Sequence, residues 1–168
     1  SSESRSLLEG TRLAAPARPV VAEDIDRHAA GLDTDAIRIR LLSPLRLGED
    51  GRLMRHIEAG ILLRRLLERC QALAGAYSQG CAGREDWRTL SLRLSDLARG
   101  FSVSAEETRW LDLQSGSRRT GQTTPIGGLV GEFSLRGELR PVLPWLLWGQ
   151  VVQVGKNTVK GNGWYEVL

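Results

Sequence analysis

Hydrophobic and polar positions fall into blocks with different periods. Residues 1–36 hold neither a helical nor a strand period. They are polar and turn-rich, with Pro16, Pro19 and an acidic patch from Glu23 to Asp26. They read as a linker or the remnant of a preceding domain, with one short helix around Asp24 to Ala30. From Ile37 the pattern changes. Ile37, Ile39 and Leu41 alternate with Arg38, Arg40 and Leu42, the period-two signature of a half-buried strand, ended by Ser43-Pro44. After a turn at Gly48 to Gly51, the residues Leu53, Ile57, Ile61, Leu66, Leu67, Cys70, Leu73 and Tyr77 recur at three- and four-residue steps. Arg64, Arg65, Glu68 and Arg69 fall on another face, so the spacing predicts a long helix closed at Gly80 and Gly83. A second amphipathic segment starts at Asp86 as N-cap, carries Trp87, Leu90, Leu94 and Leu97 at helical spacing, and stops at Gly100. Leu90, Leu92 and Leu94 also alternate, which leaves a strand open there; helix is the preferred reading.

Beyond Gly100 the character turns to strand. Thr108 to Leu113 and Gly128 to Leu135 read as two strands of a long hairpin, joined by the polar loop Gln114 to Pro125. Glycines at 127, 128 and 131 predict close backbone approach or a bulge. Pro141 to Trp148 reads as a short apolar helix with Pro141 and Pro144 in its first turn, where missing N–H groups cost little. Val151, Val152 and Val154 lead into a glycine-rich loop, and Trp164 to Leu168 is the last strand. The order is strand, helix, inserted helix, strand, strand, helix, strand. That is an α+β, ferredoxin-like βαββαβ sandwich over residues 37–168, with one helix inserted between the first helix and the second strand. Both helices of such a fold cover one face of an antiparallel sheet and leave the other free.

Composition narrows the function classes. The 168 residues are 41% hydrophobic and 26% charged, enough apolar content for a core. The longest apolar run, Val142 to Trp148, is interrupted by Pro144 and too short to span a bilayer. No basic segment followed by an apolar one opens the chain, and it begins at Ser1, which suggests a processed chain or a fragment. Cys70 and Cys81 are the only cysteines. They form neither a disulfide framework nor, with His28 and His56, a metal-ligand spacing, so no metal or cofactor is expected and a reducing, cytoplasmic setting fits. The net charge is +3, but it is uneven: residues 1–50 carry seven basic and nine acidic side chains, residues 51–100 nine and five. Local basic excess suits a polyanion contact; a solvated arginine-rich face explains the charge alone equally well.

The sharpest feature is Gly155-Lys-Asn-Thr-Val-Lys-Gly-Asn-Gly163. Lys156 and Lys160 are the only two lysines, against 21 arginines, and both lie here. Glycines allow the backbone to turn its amides toward an anion, and compact ammonium groups on flexible stems suit irregular phosphates. Gly155, Lys156, Asn157, Lys160, Gly161 and Gly163 are therefore the candidate phosphate-binding residues. The bland reading is a turn whose lysines are merely solvated. A nucleotide P-loop is excluded, because five residues separate Gly149 from Gly155 and Asn157 follows Lys156.

The run Gly127-Gly-Leu-Val-Gly131, then Gly137-Glu-Leu, Val154-Gly-Lys-Asn-Thr158, Gly161-Asn-Gly163 and Tyr165 closely resembles the CRISPR repeat-processing endoribonuclease family of the RAMP superfamily. Upstream, Leu42-Ser-Pro-Leu-Arg46-Leu, Arg64-Arg65-Leu66 and Trp110-Leu-Asp112 with Ser117 and Arg119 resemble it in the same order. The hairpin departs from the family at Gly116 and Thr120, where an aromatic and a glutamine are usual.

The resemblance implies CRISPR repeat RNA as partner, other CRISPR-associated subunits as further partners, and metal-independent cleavage. In that reaction a ribose 2′-OH attacks the adjacent phosphorus and leaves a 2′,3′-cyclic phosphate, which requires a base, an acid and a cation beside the phosphorane. It also implies that the catalytic histidine lies in the first of two ferredoxin-like domains and that this chain is the second, so no catalytic residue is assigned here. His28 and His56 read as surface or structural residues. Arg118 and Arg119 near the hairpin tip join the candidate RNA contacts, and Trp164 beside the loop is the best placed tryptophan for stacking on a base. Two other functions fit the same fold: a non-catalytic RNA-holding subunit of an effector complex, and a protein-interaction module using the free sheet face.

Overall fold

Burial alternates along the first long strand as the side chains do. Ile37, Ile39 and Leu41 are buried while Arg38, Arg40 and Leu42 are exposed, and the run forms β1 (Ala36–Leu45). In the computed structural model, the described residues are 19–77, 87–116 and 121–168, together with a short ribbon pairing Leu8–Glu9 with Arg12–Leu13. Strands β2 (Ser102–Leu111), β3 (Gly128–Arg136) and β4 (Tyr165–Val167) complete an antiparallel sheet in the order β4-β1-β3-β2. Helices α1 (Ala22–Ala29), α2 (Ala59–Tyr77), α3 (Trp87–Ala98) and α4 (Leu143–Val152) accompany it. α2 packs on α3 and α4, and α4 on α1 and β4. This is the ferredoxin-like α+β fold with its inserted helix, α3.

Inward positions of the strands meet the helices in one core. Ile39 opposite Phe133 and Leu41 opposite Tyr165 line it from the sheet. Leu62, Leu63 and Leu66 close it from α2, and Leu146 and Leu147 from α4. The Tyr165 hydroxyl is fully buried and donates to the Leu146 carbonyl at 2.7 Å; burial pushes its pKa up. Cys70, half-buried against this core, is pushed up to about 11 by burial, with Arg69 opposing. The opposite sheet face carries an ion-pair ladder. Arg40 bonds Glu132 at 2.6 Å and Glu166 at 2.9 Å, and Arg38 reaches Glu132 at 2.9 Å. The hydrogen bond from Arg40 holds the Glu132 carboxyl below the usual carboxylate range against the opposing effect of desolvation, with the charges of Arg40 and Arg38 adding to it.

Several boundaries differ from those the sequence predicts. The long helix begins at Ala59, not after Gly51, because Asp50 and Gly51 take positive φ (47° and 80°). Gly48–Glu49 and Arg52–Leu53 therefore pair as a tight ribbon, the arrangement an Asp-Gly dipeptide favours. Its buried stripe runs from Ala59 to Leu67, and Tyr77 is 80% exposed. In α3, burial of Leu90, Leu94 and Ala98 with Leu92 60% exposed decides for helix over strand. β2 starts at Ser102 rather than Thr108; a register shift between Ser104 and Glu107, with Ala105 at φ 45°, breaks the alternation that would have revealed it. α4 runs on to Val152, with Pro144 in its first turn and Pro141 upstream of it. In the leader, Ile25 of α1 is buried in the same core, so packing onto the domain starts upstream of residue 37. Gly80, Cys81, Gly83 and Asp86 lie outside the described residues.

Candidate nucleic-acid interface

The glycine-rich loop is held both by its own backbone and by its neighbours. It leaves α4 through Gln153, at φ 60°, and the fully buried Val154, whose amide donates to the Gly163 carbonyl at 3.0 Å. The Lys156 amide donates to the Arg46 carbonyl (2.9 Å) and the Gly163 amide to the Pro44 carbonyl (3.0 Å), so both ends of the loop are tied to the last turn of β1. Between them lies one 3-10 turn, Thr158–Lys160, flanked by Asn157 and Gly161 in the left-handed region.

Two asparagines tie the loop to the base of the hairpin. Asn162 is 3% exposed, the one buried polar side chain among the described residues, and its Nδ2 donates to the Ile126 carbonyl at 2.6 Å. Asn157 Nδ2 donates to the Pro125 carbonyl at 3.2 Å. A third tie comes from Arg46, whose Nη1 donates to the Gly127 carbonyl at 2.7 Å. Pro125 ends the short ribbon Gln114–Gly116 with Thr123–Pro125, which extends the β2–β3 hairpin. Loop and hairpin are therefore one rigid assembly.

These bonds change the part the glycines play. The amides of Lys156, Lys160, Gly161, Asn162 and Gly163 all donate inside the protein. Those five are not free for an anion, so fewer of the loop's amides can turn outward than the sequence suggests. Lys160, Gly161 and Asn162 close the turn on the Asn157 and Thr158 carbonyls, while Lys156 and Gly163 close onto Arg46 and Pro44, since a buried N–H without a partner is costly. What faces outward is charge. Lys156 and Lys160 are exposed on either side of Val159, itself 92% exposed. Neither lysine has an ion pair among the described residues. Gly155, Gly161 and Gly163 serve the turns, all at positive φ.

The aromatic candidates separate. Trp164 is 49% exposed beside the loop, its amide bonded to Ser43 Oγ at 2.9 Å. Trp110 is covered: the Arg55 guanidinium sits 3.7 Å from its ring centre, Arg46 lies at 5.6 Å, and its Nε1 donates to Asp112 at 2.7 Å. Trp87 and Trp145 meet edge to face at 5.7 Å within the helical layer. His28 is exposed on α1, and His56 is exposed in the segment before α2. Arg118 and Arg119 lie outside the described residues. Sequence reasoning missed Asn162 and Arg46 as the ties of the site; the signal was a polar residue between two glycines and an arginine just after a buried leucine.

The family model described as CRISPR-associated endoribonuclease Cas6 matches residues 39–165. Among solved structures, Thermus thermophilus Cas6 superposes with a TM-score of 0.62 at 17% identity, covering 86% of this chain and 57% of that one. A Cas6 product complex gives 0.61 at 17% identity, covering 89% and 56%. A partial Cas6-RT-Cas1–Cas2 complex gives 0.60 at 19% identity, covering 88% of this chain and 25% of the other. At these identities the likeness is one of fold. The chain spans a little over half the length of the solved Cas6 chains it matches. No curated protein shows significant similarity to it.

Proposed function

The chain belongs to the CRISPR-associated endoribonuclease Cas6 family, and from that premise we propose that it is the C-terminal, RNA-binding half of a metal-independent endoribonuclease that processes CRISPR repeat RNA. In this reading residues 37–168, with α1 packed on them, form the RNA-binding domain, and a second unit supplies the general base. Lys156 and Lys160 neutralise phosphates of the bound repeat, and Arg118 and Arg119 add contacts from the hairpin. One observation carries the reading: the chain's two lysines both stand exposed, without an ion pair among the described residues, on a loop tied by backbone bonds to the end of β1 and by asparagine side chains to the hairpin. A merely solvated turn has no need of a buried asparagine to fix its position.

The chemistry asks for a cation beside the pentavalent phosphorus, a base for the 2′-OH and an acid for the leaving oxygen. Ammonium groups on a fixed loop hold the phosphodiester and lower the cost of its added negative charge. They are not assigned proton transfer, which the proposal gives to a residue outside this chain. Other CRISPR-associated subunits are proposed partners, since one similar chain is solved within a Cas6-RT-Cas1–Cas2 complex. No helix among the described residues is long and apolar enough to cross a membrane, which accords with the cytoplasmic setting proposed for RNA processing.

The test is Lys156→Glu with Lys160→Glu, measured by retention of CRISPR repeat RNA and by thermal melting. Retention falls at least tenfold with the melting temperature unchanged, because both side chains are exposed and unpaired. Unchanged retention would refute the loop's role and favour a protein-interaction module. Cleavage of the repeat by the complete protein in the presence of chelator is expected. RNA retention without cleavage would make the protein an RNA-holding subunit instead.

A further inference from the structure

Beside the loop, on the α2 side, lies a hollow of about 410 Å³ that the proposal above does not use. Five cationic side chains line it: Lys156 from the loop, Arg46 just after β1, Arg52 from the Gly48–Leu53 ribbon, and Arg65 and Arg69 from α2. Three carboxylates share the lining, Glu49, Asp50 and Glu68. Two of the three are already satisfied: Glu49 is paired with Arg64, and Glu68 with Arg65 at 2.7 Å. Arg65 is thereby neutralised and also donates to the Gly48 carbonyl.

The remaining cations keep their charge. Arg69 donates its Nε to the Val152 carbonyl at 3.2 Å, a bond that orients the guanidinium without neutralising it. Arg46 is likewise held by the Gly127 carbonyl. Arg52 and Lys156 are exposed and carry no ion pair among the described residues. The hollow thus presents four unneutralised cations against one unpaired carboxylate, Asp50. A second hollow of about 390 Å³ lies across the ribbon, shares Glu49, Asp50 and Arg52 with the first, and reaches Arg55 and His56.

Fixed cations at the loop end of an open hollow suit a chain of phosphates better than a single small anion. Both hollows are open, without the enclosure that a small-molecule site requires. The cations come from three different elements, loop, ribbon and helix, rather than from one.

We propose that the phosphodiester backbone of one RNA strand leaves the glycine-rich loop through this trough, held at Lys156, Arg69 and Arg52 in turn along the flank of α2. This rests on the loop reading above and adds the strand's route. It separates the two broad faces of the domain: RNA runs along the helical flank. On the open sheet face Arg38 and Arg40 are already paired with Glu132 and Glu166, so these two offer it little charge.

The test uses the whole chain and a fluorescein-labelled oligouridylate RNA, with affinity measured by anisotropy over a range of salt. Each single-strand phosphate contact contributes about 0.7 to the slope of log K against log salt. Arg52→Gln with Arg69→Gln is therefore expected to flatten the slope by about 1.4, so that a fourfold rise in salt weakens the unaltered chain roughly sevenfold more than the variant. Arg99→Gln, an 82% exposed arginine at the end of α3, leaves the slope unchanged. If loss of the Arg69–Val152 bond unfolds the double variant, Arg52→Gln alone is read, with an expected flattening of about 0.7.

An unchanged slope in an otherwise RNA-binding protein overturns the trough and leaves the loop reading standing. Absence of RNA binding by the unaltered chain, at low salt, overturns both. Equal flattening by Arg99→Gln also overturns the trough, since it would mark a diffuse charge effect.

Discussion

Two glycines of the same loop, both left-handed, should respond very differently to a methyl group. Gly161 has φ 86° and nothing within 4 Å of where a Cβ would stand. Gly163 has φ 77°, and its Cβ would overlap the Val154 carbonyl oxygen and lie 2.8 Å from the carbonyl carbon. Gly161→Ala therefore meets only the conformational cost of a left-handed L-residue, about 1 kcal/mol. Gly163→Ala meets that cost and must also move backbone that cannot yield cheaply, because the Val154 amide and Gly163 carbonyl are bonded at 3.0 Å and the Gly163 amide holds Pro44. Losing both bonds and forcing the strand end aside adds about 2–4 kcal/mol. Urea titration should then show Gly163→Ala about 3–5 kcal/mol less stable than the unaltered chain and Gly161→Ala about 1. In thermal melting the first should fall by roughly 10 °C and the second by about 3 °C for a chain of this size. Equal losses at the two positions would refute the reasoning, because they share everything except the Val154 contact.

Asn162→Leu removes the 2.6 Å bond to Ile126 and leaves that carbonyl unpaired, for an expected loss of about 1–3 kcal/mol by urea titration. In Asn162→Asp, only the protonated carboxyl can still donate, so burial raises the folded pKa; stability should be greatest in acid and decline as pH rises through that raised value. The depressed Glu132 carboxyl predicts the opposite sign. Its contribution is complete above the unfolded carboxyl range and lost as pH falls through the folded value, so Glu132→Gln should flatten the acid side of a pH series of urea midpoints. Cys70, with its thiol raised to about 11, should resist alkylation at neutral pH in the folded chain and react on unfolding. Peptide mass spectrometry separates it from Cys81, and rapid native labelling of Cys70 would contradict its burial.

The sheet was readable where one face of a strand is buried. Ile37, Ile39 and Leu41 gave a clean period, and the order of elements followed from it. β2 was only partly readable, since the register shift around Ala105 puts Ser104 and Glu107 out of phase with a simple alternation. The start of α2 was hidden because Leu53 and Ile57 extend its apolar spacing by chance into a ribbon closed by Asp50-Gly51. At the site, the identity of the loop was legible from its glycines and its pair of lysines. The direction of the amides at its two ends was not, because Lys156 and Gly163 donate to carbonyls of Arg46 and Pro44, more than a hundred residues away. Nor could the chain alone show that Asn162 would reach Ile126, a contact made by the way loop and hairpin meet in space.

The confinement of every lysine to one loop has a practical consequence for handling this protein. Within this stretch of sequence, amine-directed reagents, whether succinimidyl dyes, biotinylation kits or acetyl donors, will find only the Lys156 and Lys160 side chains. Coupling to a sensor chip through amines would thus block the surface under study, whereas cysteine- or tag-based capture would spare it. The same scarcity makes protection of those two amines a ready footprint for whatever occupies the loop.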